Sequence, residues 1–213
     1  MVQKLKAFIF DFDGLIVDTE TPWYYAFRDI YEEHGVELGL ELWSKNVGTS
    51  FEEFHPYRYL EQMLQKEINH EQIRLLSEQK YESYLGQASI LPGVLELLDA
   101  ARERGIRLAV ASSSTRDWVH GYLQKLGLFD YFEVIHTSDD VKRVKPDPEL
   151  YLLTLQKLGV EADEAIVFED SPNGLKAANA AGIRCYIVPN EVTRGLEFTM
   201  HERRLSSLAE MKI

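Results

Sequence analysis

The positions of hydrophobic residues along the chain predict a parallel β-sheet. Short apolar runs are separated by longer segments in which apolar residues recur at helical spacing. Strands that alternate with helices in this way are typical of βαβ units, whose strands are parallel. The sequence therefore predicts an α/β fold with a doubly wound, Rossmann-like parallel sheet. The predicted strands are Ala7–Phe10, Ile106–Ala111, Phe132–His136, Ala165–Phe168 and Arg184–Val188.

Residues that commonly begin or end helices mark the segments around these strands. Pro92 suits a first helical position, and Gly105 follows the apolar positions of the same segment as a stop signal. Asp147 and Ser171 each precede a proline, so both are predicted to cap helices. Trp118 belongs to a stripe of apolar residues at helical spacing, which favours a place in the core.

The segment between the first two predicted strands has no strand pattern and is predicted to be wholly helical. At about 70 residues it is too long for a plain crossover, which favours an inserted helical domain with its own core. We therefore predict a core domain of residues 1–17 and 88–213 and a helical cap domain of residues 18–87. The predicted helices of the cap are Pro22–His34, Leu40–Val47, Phe51–Lys66 and His70–Leu85.

Composition restricts the partners and the compartment of the protein. The 213 residues are 45% hydrophobic and 27% charged, which is typical of a globular protein. A formal net charge of −12 argues against a nucleic-acid partner, which would need a basic face. The single cysteine, Cys185, excludes an internal disulfide and favours a reducing compartment. The sequence contains no membrane-span pattern and no signal peptide pattern, so we expect a cytoplasmic monomer without a membrane partner.

Two carboxylates follow the first predicted strand. Asp11 and Asp13 stand one residue apart and are followed by Gly14. Acids beside a buried strand destabilise a fold unless a cation or hydrogen-bond donors satisfy them, and open α/β sheets bind ligands at this end of a strand. One carboxylate can attack a substrate or bind a metal while the other transfers a proton. The alternative is a turn with two solvated acids.

Three further predicted strand ends carry polar groups. Ser112 and Ser113 precede a helix, where they can bind an anion or cap the helix. Lys145 lies in the loop after the third strand, where it can contact phosphate or remain solvated. Glu169 and Asp170 end the fourth strand and can bind Mg²⁺ or cap a helix. Taken with the first acid pair, these groups favour phosphoryl transfer.

The order and spacing of these motifs resemble those of the haloacid dehalogenase superfamily of aspartate-nucleophile phosphotransferases. The motifs stand here as Asp11-Phe12-Asp13-Gly14, Ser112, Lys145-Pro146 and Glu169-Asp170. The resemblance covers essentially the whole chain, including the cap inserted after the first motif. Within the superfamily the chain is most similar to the branch of β-phosphoglucomutase, phosphoglycolate phosphatase and sugar-phosphate phosphatases. Asp13 distinguishes it from the dehalogenases proper, which lack an acid there.

The resemblance implies a Mg²⁺-dependent phosphatase that acts on a small phosphorylated metabolite. Asp11 would attack phosphorus and become an aspartyl phosphate, while Asp13 would protonate the leaving oxygen and then activate water. Ser112, Ser113 and Lys145 would bind the phosphoryl group, and Lys145 would also neutralise charge on the nucleophile. The implied Mg²⁺ ligands are Asp11, the backbone carbonyl of Asp13, Asp170 and, partly through water, Glu169.

The cap positions that the resemblance implies for substrate binding are Gly48, Thr49 and Lys80, with a solvated helix lysine as the alternative for Lys80. The chain departs from the mutase in this region. Trp23 stands where the mutase has a histidine, and Phe51 follows the loop in which the mutase has an arginine. Because a basic residue that would hold a second phosphate is missing, the sequence favours a phosphatase. A phosphomutase of the β-phosphoglucomutase type is the alternative.

Two other classes of protein fit the sequence less well. A phosphoacceptor receiver module also uses clustered acids, a hydroxyl and a lysine, but its phosphorylated aspartate ends the third strand, whereas Asp11 ends the first. A non-catalytic phosphate-binding protein of this fold would be expected to have lost a key group, and the sequence contains all of them. The sequence therefore favours an enzyme.

Overall fold

The computed structural model describes residues 5–46, 54–86 and 89–213, and in these ranges strands and helices alternate as an α/β fold requires. The strands are β1 (Ala7–Phe10), β2 (Arg107–Ala111), β3 (Val134–His136), β4 (Ala165–Glu169), β5 (Arg184–Ile187) and β6 (Arg203–Arg204). The α-helices are α1 (Glu20–Glu33), α2 (Leu40–Trp43), α3 (Pro56–Leu64), α4 (His70–Leu85), α5 (Val94–Glu103), α6 (Arg116–Lys125), α7 (Glu149–Leu158) and α8 (Pro172–Ala180). Short 3₁₀ helices cover Ser44–Asn46, Phe129–Tyr131, Ser138–Asp140, Ala162–Glu164 and Leu208–Glu210.

The strands form one parallel sheet in the order β3-β2-β1-β4-β5-β6. From β1 the chain winds outward to one edge and then, from β4, to the other edge, which confirms the predicted doubly wound topology. Phe10 pairs with Val110 on one side and with Phe168 on the other. The carboxyl ends of β1, β2 and β4 are therefore level, at the switch point where folds of this type bind ligands.

Aromatic packing explains why β1 lies at the centre of the sheet. Phe8 and Phe10 are fully buried, and the Phe10 ring stacks on Phe168 with a centroid distance of 5.0 Å. A strand that is apolar on both faces is stable only with neighbours on both edges and layers on both faces. The polar residues that follow β1 are consequently held at a well-ordered edge of the core.

The chain divides into two compact units. The first comprises Met1–Val17, Ser89–Asn190 and Glu197–Ile213 and contains the sheet. The second comprises Asp18–Ala88 and Glu191–Leu196, and its described residues form helices α1 to α4 with no strand. The segment Glu191–Leu196 thus lies outside the boundaries 18–87 that the sequence predicts for the helical domain. None of the helices in the described ranges combines the length and apolar character needed to cross a membrane.

Several helix boundaries differ from the sequence predictions. The predicted helix Phe51–Lys66 begins at Pro56 in the described residues, because proline is favoured at the first helical position and lacks the N–H that the preceding turn would use. The predicted helix Leu40–Val47 is short, since α2 ends at Trp43 and a 3₁₀ turn follows. Strand β6 was not predicted, because its two exposed arginines lack an apolar pattern.

Three predicted helix starts have different outcomes. Pro92 does not begin a helix, because Gly93 intervenes with a φ of 86° and its missing side chain lets Ala209 approach. The first residue of α7 follows Pro148, and the Asp147 carboxylate accepts the Glu149 N–H at 3.1 Å, so its capping role is confirmed. Ser171 caps α8 as predicted.

Candidate active site

Asp11 is a buried carboxylate at the carboxyl end of β1. Its backbone N–H donates to Phe168 at 3.0 Å, which extends the pairing of β1 with β4. Its Oδ1 accepts a hydrogen bond from Lys145 Nζ at 2.5 Å. Burial, with smaller contributions from the Glu169 and Asp13 carboxylates, raises the pKa of Asp11 to about 8 against the opposing effect of Lys145. Any positive charge that enters this site therefore favours the carboxylate form of Asp11.

Lys145 lies between two acids. Its Nζ contacts Asp11 and also Glu169 Oε1 at 2.7 Å, and only 5% of its side chain is exposed. Burial alone would lower the pKa of Lys145, but the two carboxylates outweigh that effect and raise it above its ordinary value. Lys145 is consequently a fixed cation beside the Asp11 carboxylate.

Both oxygens of the fully buried Glu169 side chain are occupied by donors from the protein. Oε1 accepts from Lys145 and from the Tyr151 hydroxyl at 2.6 Å. Oε2 accepts from the backbone of Asp170 and from both the backbone and the hydroxyl of Ser171. Gly174 lets the carboxylate fit, because a Cβ there would lie 1.8 Å from it. These contacts fix the Glu169 carboxylate in an orientation in which it accepts a hydrogen bond from Lys145.

Three acids at this end of the sheet have the composition of a metal site. Asp11, Glu169 and Asp170 each offer a carboxylate oxygen, and these oxygens lie within 4.8 Å of one another. All three side chains are buried. An all-oxygen donor set fits a hard divalent cation such as Mg²⁺, and buried acids in this number need a cation to offset their repulsion.

Asp13 is held by a different set of groups. Its Oδ2 accepts from the hydroxyls of Ser114 at 2.6 Å and Ser112 at 3.4 Å, and its Oδ1 accepts from Trp118 Nε1 at 2.9 Å. These donors are neutral and come from the loop after β2 and the first turn of α6. The sequence prediction placed Trp118 in the core and left Ser114, in the same run of hydroxyl residues as Ser112, without a role in the site. A half-buried indole N–H needs an acceptor, which is the signal that could have identified Trp118.

The two predicted phosphate-binding serines lie in different environments. Ser112 is buried, and its hydroxyl accepts the Ser114 N–H at 3.0 Å while facing Asp13. Ser113 is exposed. The structure therefore brings Ser112 together with the acid pair and leaves the Ser113 side chain open to solvent.

The residues predicted to bind substrate in the helical domain are only partly described. Gly48, Thr49 and Phe51 lie outside the described residues. Lys80, on α4, forms an ion pair with Glu33 at 2.8 Å within the second unit, and this hydrogen bond raises the pKa of Lys80. Trp23 stacks on Tyr81 with a centroid distance of 3.9 Å. Trp23 also lines a cavity of about 220 Å³ in the second unit, together with Phe27, Trp43 and Tyr57.

Known proteins resemble this chain in sequence, and a solved structure resembles it in fold. The Bacillus subtilis protein that carries the name phosphatase YhcW is 48% identical over 209 residues, which cover 98% of this chain and 94% of the relative. The phosphorylated carbohydrates phosphatase of Thermotoga maritima is 35% identical over 199 residues, covering 90% of this chain and 88% of the relative. A crystal structure of a CbbY mutant from Rhodobacter sphaeroides, in complex with xylulose-(1,5)bisphosphate, matches with a TM-score of 0.72 and 28% identity over 97% of this chain and 96% of that one.

The match to a family model contains the acids and the lysine of the candidate site. The model described as haloacid dehalogenase-like hydrolase covers residues 8–188, which include most of β1, the two acids that follow it, the end of β2, Lys145, Glu169 and Asp170. The chain belongs to the haloacid dehalogenase-like hydrolase family.

Proposed function

We propose that the protein is a Mg²⁺-dependent phosphatase that hydrolyses the phosphate monoester of a small metabolite through an aspartyl phosphate on Asp11. The observation that carries the proposal is the buried cluster of Asp11, Lys145, Glu169 and Asp170. A carboxylate nucleophile, a cation and further acidic oxygens are the groups that phosphoryl transfer through a covalent intermediate requires. Membership of a hydrolase family, and the phosphatase names of two relatives, support the same chemistry.

Asp11 is the proposed nucleophile because a cation lies beside it. A carboxylate that approaches a phosphate dianion meets charge repulsion, which the Lys145 ammonium at 2.5 Å reduces in a buried setting. An Asp11 oxygen forms the bond to phosphorus as the bond to the leaving oxygen breaks, and the leaving oxygen keeps the electron pair. Water then attacks the aspartyl phosphate, releasing phosphate and restoring the Asp11 carboxylate.

Asp13 is the proposed acid and base. Its carboxylate contacts the hydroxyl of Ser114 and the indole N–H of Trp118, whereas Asp11 contacts an ammonium group. Two carboxylates in different environments can take different roles in one reaction. Asp13 donates a proton to the leaving oxygen in the first step and accepts a proton from the attacking water in the second.

Lys145 and Glu169 act as a unit in this proposal. Glu169 fixes the lysine, and the Tyr151 hydroxyl in turn fixes Glu169 Oε1. The Ser112 hydroxyl is proposed to bind a phosphate oxygen at the start of α6, with Ser113 beside it. Because the oxygens of Glu169 already accept hydrogen bonds from the protein, its proposed contact with a metal runs through water.

The proposed ligands of the cation are Asp11, Asp170 and the backbone carbonyl of Asp13. Their hard oxygen donors and the small number of carboxylates favour Mg²⁺, which usually keeps several waters and binds substrate phosphate as well. When bound, the ion supplies positive charge to the phosphoryl oxygens. The protein contributes the fixed orientation of these carboxylates.

A phosphorylated sugar or similar metabolite is the proposed substrate. The name of the Thermotoga maritima relative, and the bisphosphate in the CbbY structure, support this class. Trp23 and Phe51 replace basic or polar groups of the β-phosphoglucomutase type, so net hydrolysis is proposed rather than isomerisation. Release of inorganic phosphate from sugar phosphates, phosphoglycolate and nucleotides, measured as a panel, identifies the preferred substrate. Conversion of β-glucose 1-phosphate to glucose 6-phosphate with little free phosphate would contradict a phosphatase.

Metal dependence provides the first experiment. We expect p-nitrophenyl phosphate to be hydrolysed with Mg²⁺, activity to be lost in excess chelator, and Mg²⁺ to restore it. Ca²⁺ should restore it poorly, because its longer bonds and looser geometry disturb the alignment of in-line attack. Full activity in excess chelator would contradict the proposed role of Asp170, and no activity on any phosphate monoester would contradict the proposed function.

A further inference from the structure

Asn190 joins the candidate metal ligand Asp170 to the turn after β1. Its side-chain Nδ2 donates to Asp170 Oδ2 at 2.7 Å and to the Gly14 carbonyl at 3.2 Å. Asn190 follows β5, Asp170 follows β4 and Gly14 follows β1, so one amide group connects three strand ends. Sequence reasoning did not single out Asn190, because it lies in a loop beyond the predicted strand Arg184–Val188.

The contact depends on the absence of a side chain at Gly14. Gly14 has a φ of 77°, and a Cβ at this position would lie 2.3 Å from Asp170 Oδ2 and 2.5 Å from Asn190 Nδ2. A side chain at Gly14 would therefore displace both groups. The close approach indicates that the Asp170 carboxylate and the Asn190 amide have one preferred arrangement.

We propose that Asn190 is a positioning residue that orients the Asp170 carboxylate to bind a divalent cation. A neutral amide suits this role, because it fixes one carboxylate oxygen without adding a positive charge that would compete with the cation. Partners that hydrogen-bond to metal-ligating carboxylates fix their orientation and contribute to metal affinity. The inference rests on the proposed function, since it assumes that Asp170 is a ligand.

Asn190 also stands at a boundary between the two units. It is the last residue of its segment of the first unit, and Glu191–Leu196 belongs to the second unit. Within that unit Val192 is buried among aromatic residues, and Glu191 accepts a hydrogen bond from the Tyr25 hydroxyl at 3.2 Å. A control for the test must therefore separate the Asn190 amide from general disturbance of this segment, and the exposed Arg194 offers one.

The test measures binding of Mg²⁺ alone by isothermal titration calorimetry, without substrate. Asn190→Ala and Asn190→Leu should each raise the Mg²⁺ dissociation constant by about tenfold or more, which is the usual effect of losing such a partner. Arg194→Ala should bind Mg²⁺ as the wild type does. Saturating Mg²⁺ should largely restore phosphatase activity to the Asn190 variants.

Asp170→Asn separates failure of this inference from failure of the proposed function. If Asp170→Asn itself binds Mg²⁺ as tightly as the wild type, the proposed metal site is wrong. If Asp170→Asn loses Mg²⁺ while both Asn190 variants keep the wild-type dissociation constant, only the positioning role of Asn190 is overturned. Weak Mg²⁺ binding by the Asn190 variants whose activity saturating Mg²⁺ does not restore would also overturn it, in favour of a purely structural role.

Discussion

The buried cluster at the carboxyl ends of the strands and the buried core of the second unit differ in what they contain. The first holds Asp11, Lys145, Glu169 and Asp170 within hydrogen-bonding reach of one another or of shared partners. The second is built from aliphatic and aromatic side chains such as Phe27, and its buried Tyr24 hydroxyl donates to the Leu38 carbonyl.

The difference indicates which region serves folding and which serves chemistry. Burial of apolar side chains is the main favourable contribution to folding, so the core of the second unit needs no further explanation. Buried charges oppose folding unless they are well paired, and an apolar replacement is often more stable. Acids whose pKa is shifted by burial and neighbouring charges are typical of functional sites. We therefore infer that the charged cluster serves the reaction and not the stability of the fold.

The two units also differ in their lysine–glutamate ion pairs. Lys145 lies 2.7 Å from Glu169 in the first unit, and Lys80 lies 2.8 Å from Glu33 in the second. The distances are nearly equal, but the first pair is almost fully buried, whereas 53% of the Glu33 side chain is exposed. Burial, and not distance, determines how much each pair affects stability and reactivity.

The largest expected effect is that of Asp11→Asn, which removes the proposed nucleophile. The phosphatase kcat should fall by about a thousandfold or more, as is usual when a group that acts in both steps of a reaction is removed. The protein should remain folded, because asparagine has nearly the same shape. Steady-state kinetics and circular dichroism check both expectations, with the exposed acid Asp163→Asn as control. Wild-type turnover in Asp11→Asn would mean that another residue is the nucleophile.

The two lysine pairs predict unequal effects on stability. Lys145→Met leaves Asp11 and Glu169 buried without their cation, which should lower the free energy of unfolding in chelator by about 3–5 kcal/mol. Lys80→Met should lower it by less than about 1 kcal/mol. Denaturant unfolding measures both values. Equal effects would show that burial does not separate the two pairs.

The same two variants should also differ in their effects on phosphatase kinetics. Lys145→Met should lower kcat by about a hundredfold or more, since the lysine is proposed to neutralise charge on the nucleophile and the phosphoryl group. Lys80→Met tests the substrate-binding role that the sequence predicts for Lys80. A rise in KM with unchanged kcat would support that role, and unchanged kinetics would favour a purely structural ion pair with Glu33.

Two tryptophans provide a smaller contrast. Trp118→Phe removes the indole donor to Asp13 and should slow hydrolysis of a sugar phosphate by about tenfold, because a general acid must be correctly oriented. Hydrolysis of p-nitrophenyl phosphate should be affected less, since its leaving group needs little protonation. Trp23→Phe, in the second unit, should not change the ratio of the two rates. A ratio that responds to Trp23 and not to Trp118 would contradict the role given to Asp13.

The remaining prediction concerns how stability depends on pH. The pKa of Asp11 is raised to about 8 from 3.8, so in chelator the folded protein binds more protons than the unfolded chain between these values. The contribution of Asp11 to stability is therefore lost as the pH rises toward 8. The melting temperature of the wild type should fall relative to that of Asp11→Asn between pH 5 and 8, and Mg²⁺ should remove the difference. Parallel curves would contradict the raised pKa.

How far the site could be predicted depends on where each residue lies. Asp11, Ser112 and Glu169 follow apolar runs, and parallel strands bring such positions to one edge of the sheet, so their proximity could be inferred from the pattern. Trp118 and Tyr151 belong to helices whose spacing favours core positions, and their contacts with acids depend on how the helices pack on the sheet.

Asn190 and the segment Glu191–Leu196 could not be predicted for a different reason. They lie in a loop without periodicity, and their contacts with Asp170, and with the core around Val192, join residues far apart in the chain. Patterns over short windows contain no information about such pairings. The fold was therefore predictable where periodicity is strong, and so were Lys145 and Ser112, whereas the contacts of Trp118, Tyr151 and Asn190 with the acids were not.

The most direct test of the account is to locate the phosphoryl group. Asp13→Ala should still be phosphorylated by an activated phosphate ester with Mg²⁺ but should stall, because the water that completes hydrolysis is no longer activated. Mass spectrometry of this variant should show one added phosphoryl group in the peptide that contains Asp11, and none in Asp11→Asn treated in the same way. A phosphoryl group mapped to Ser112, or an equal adduct on both variants, would contradict the account.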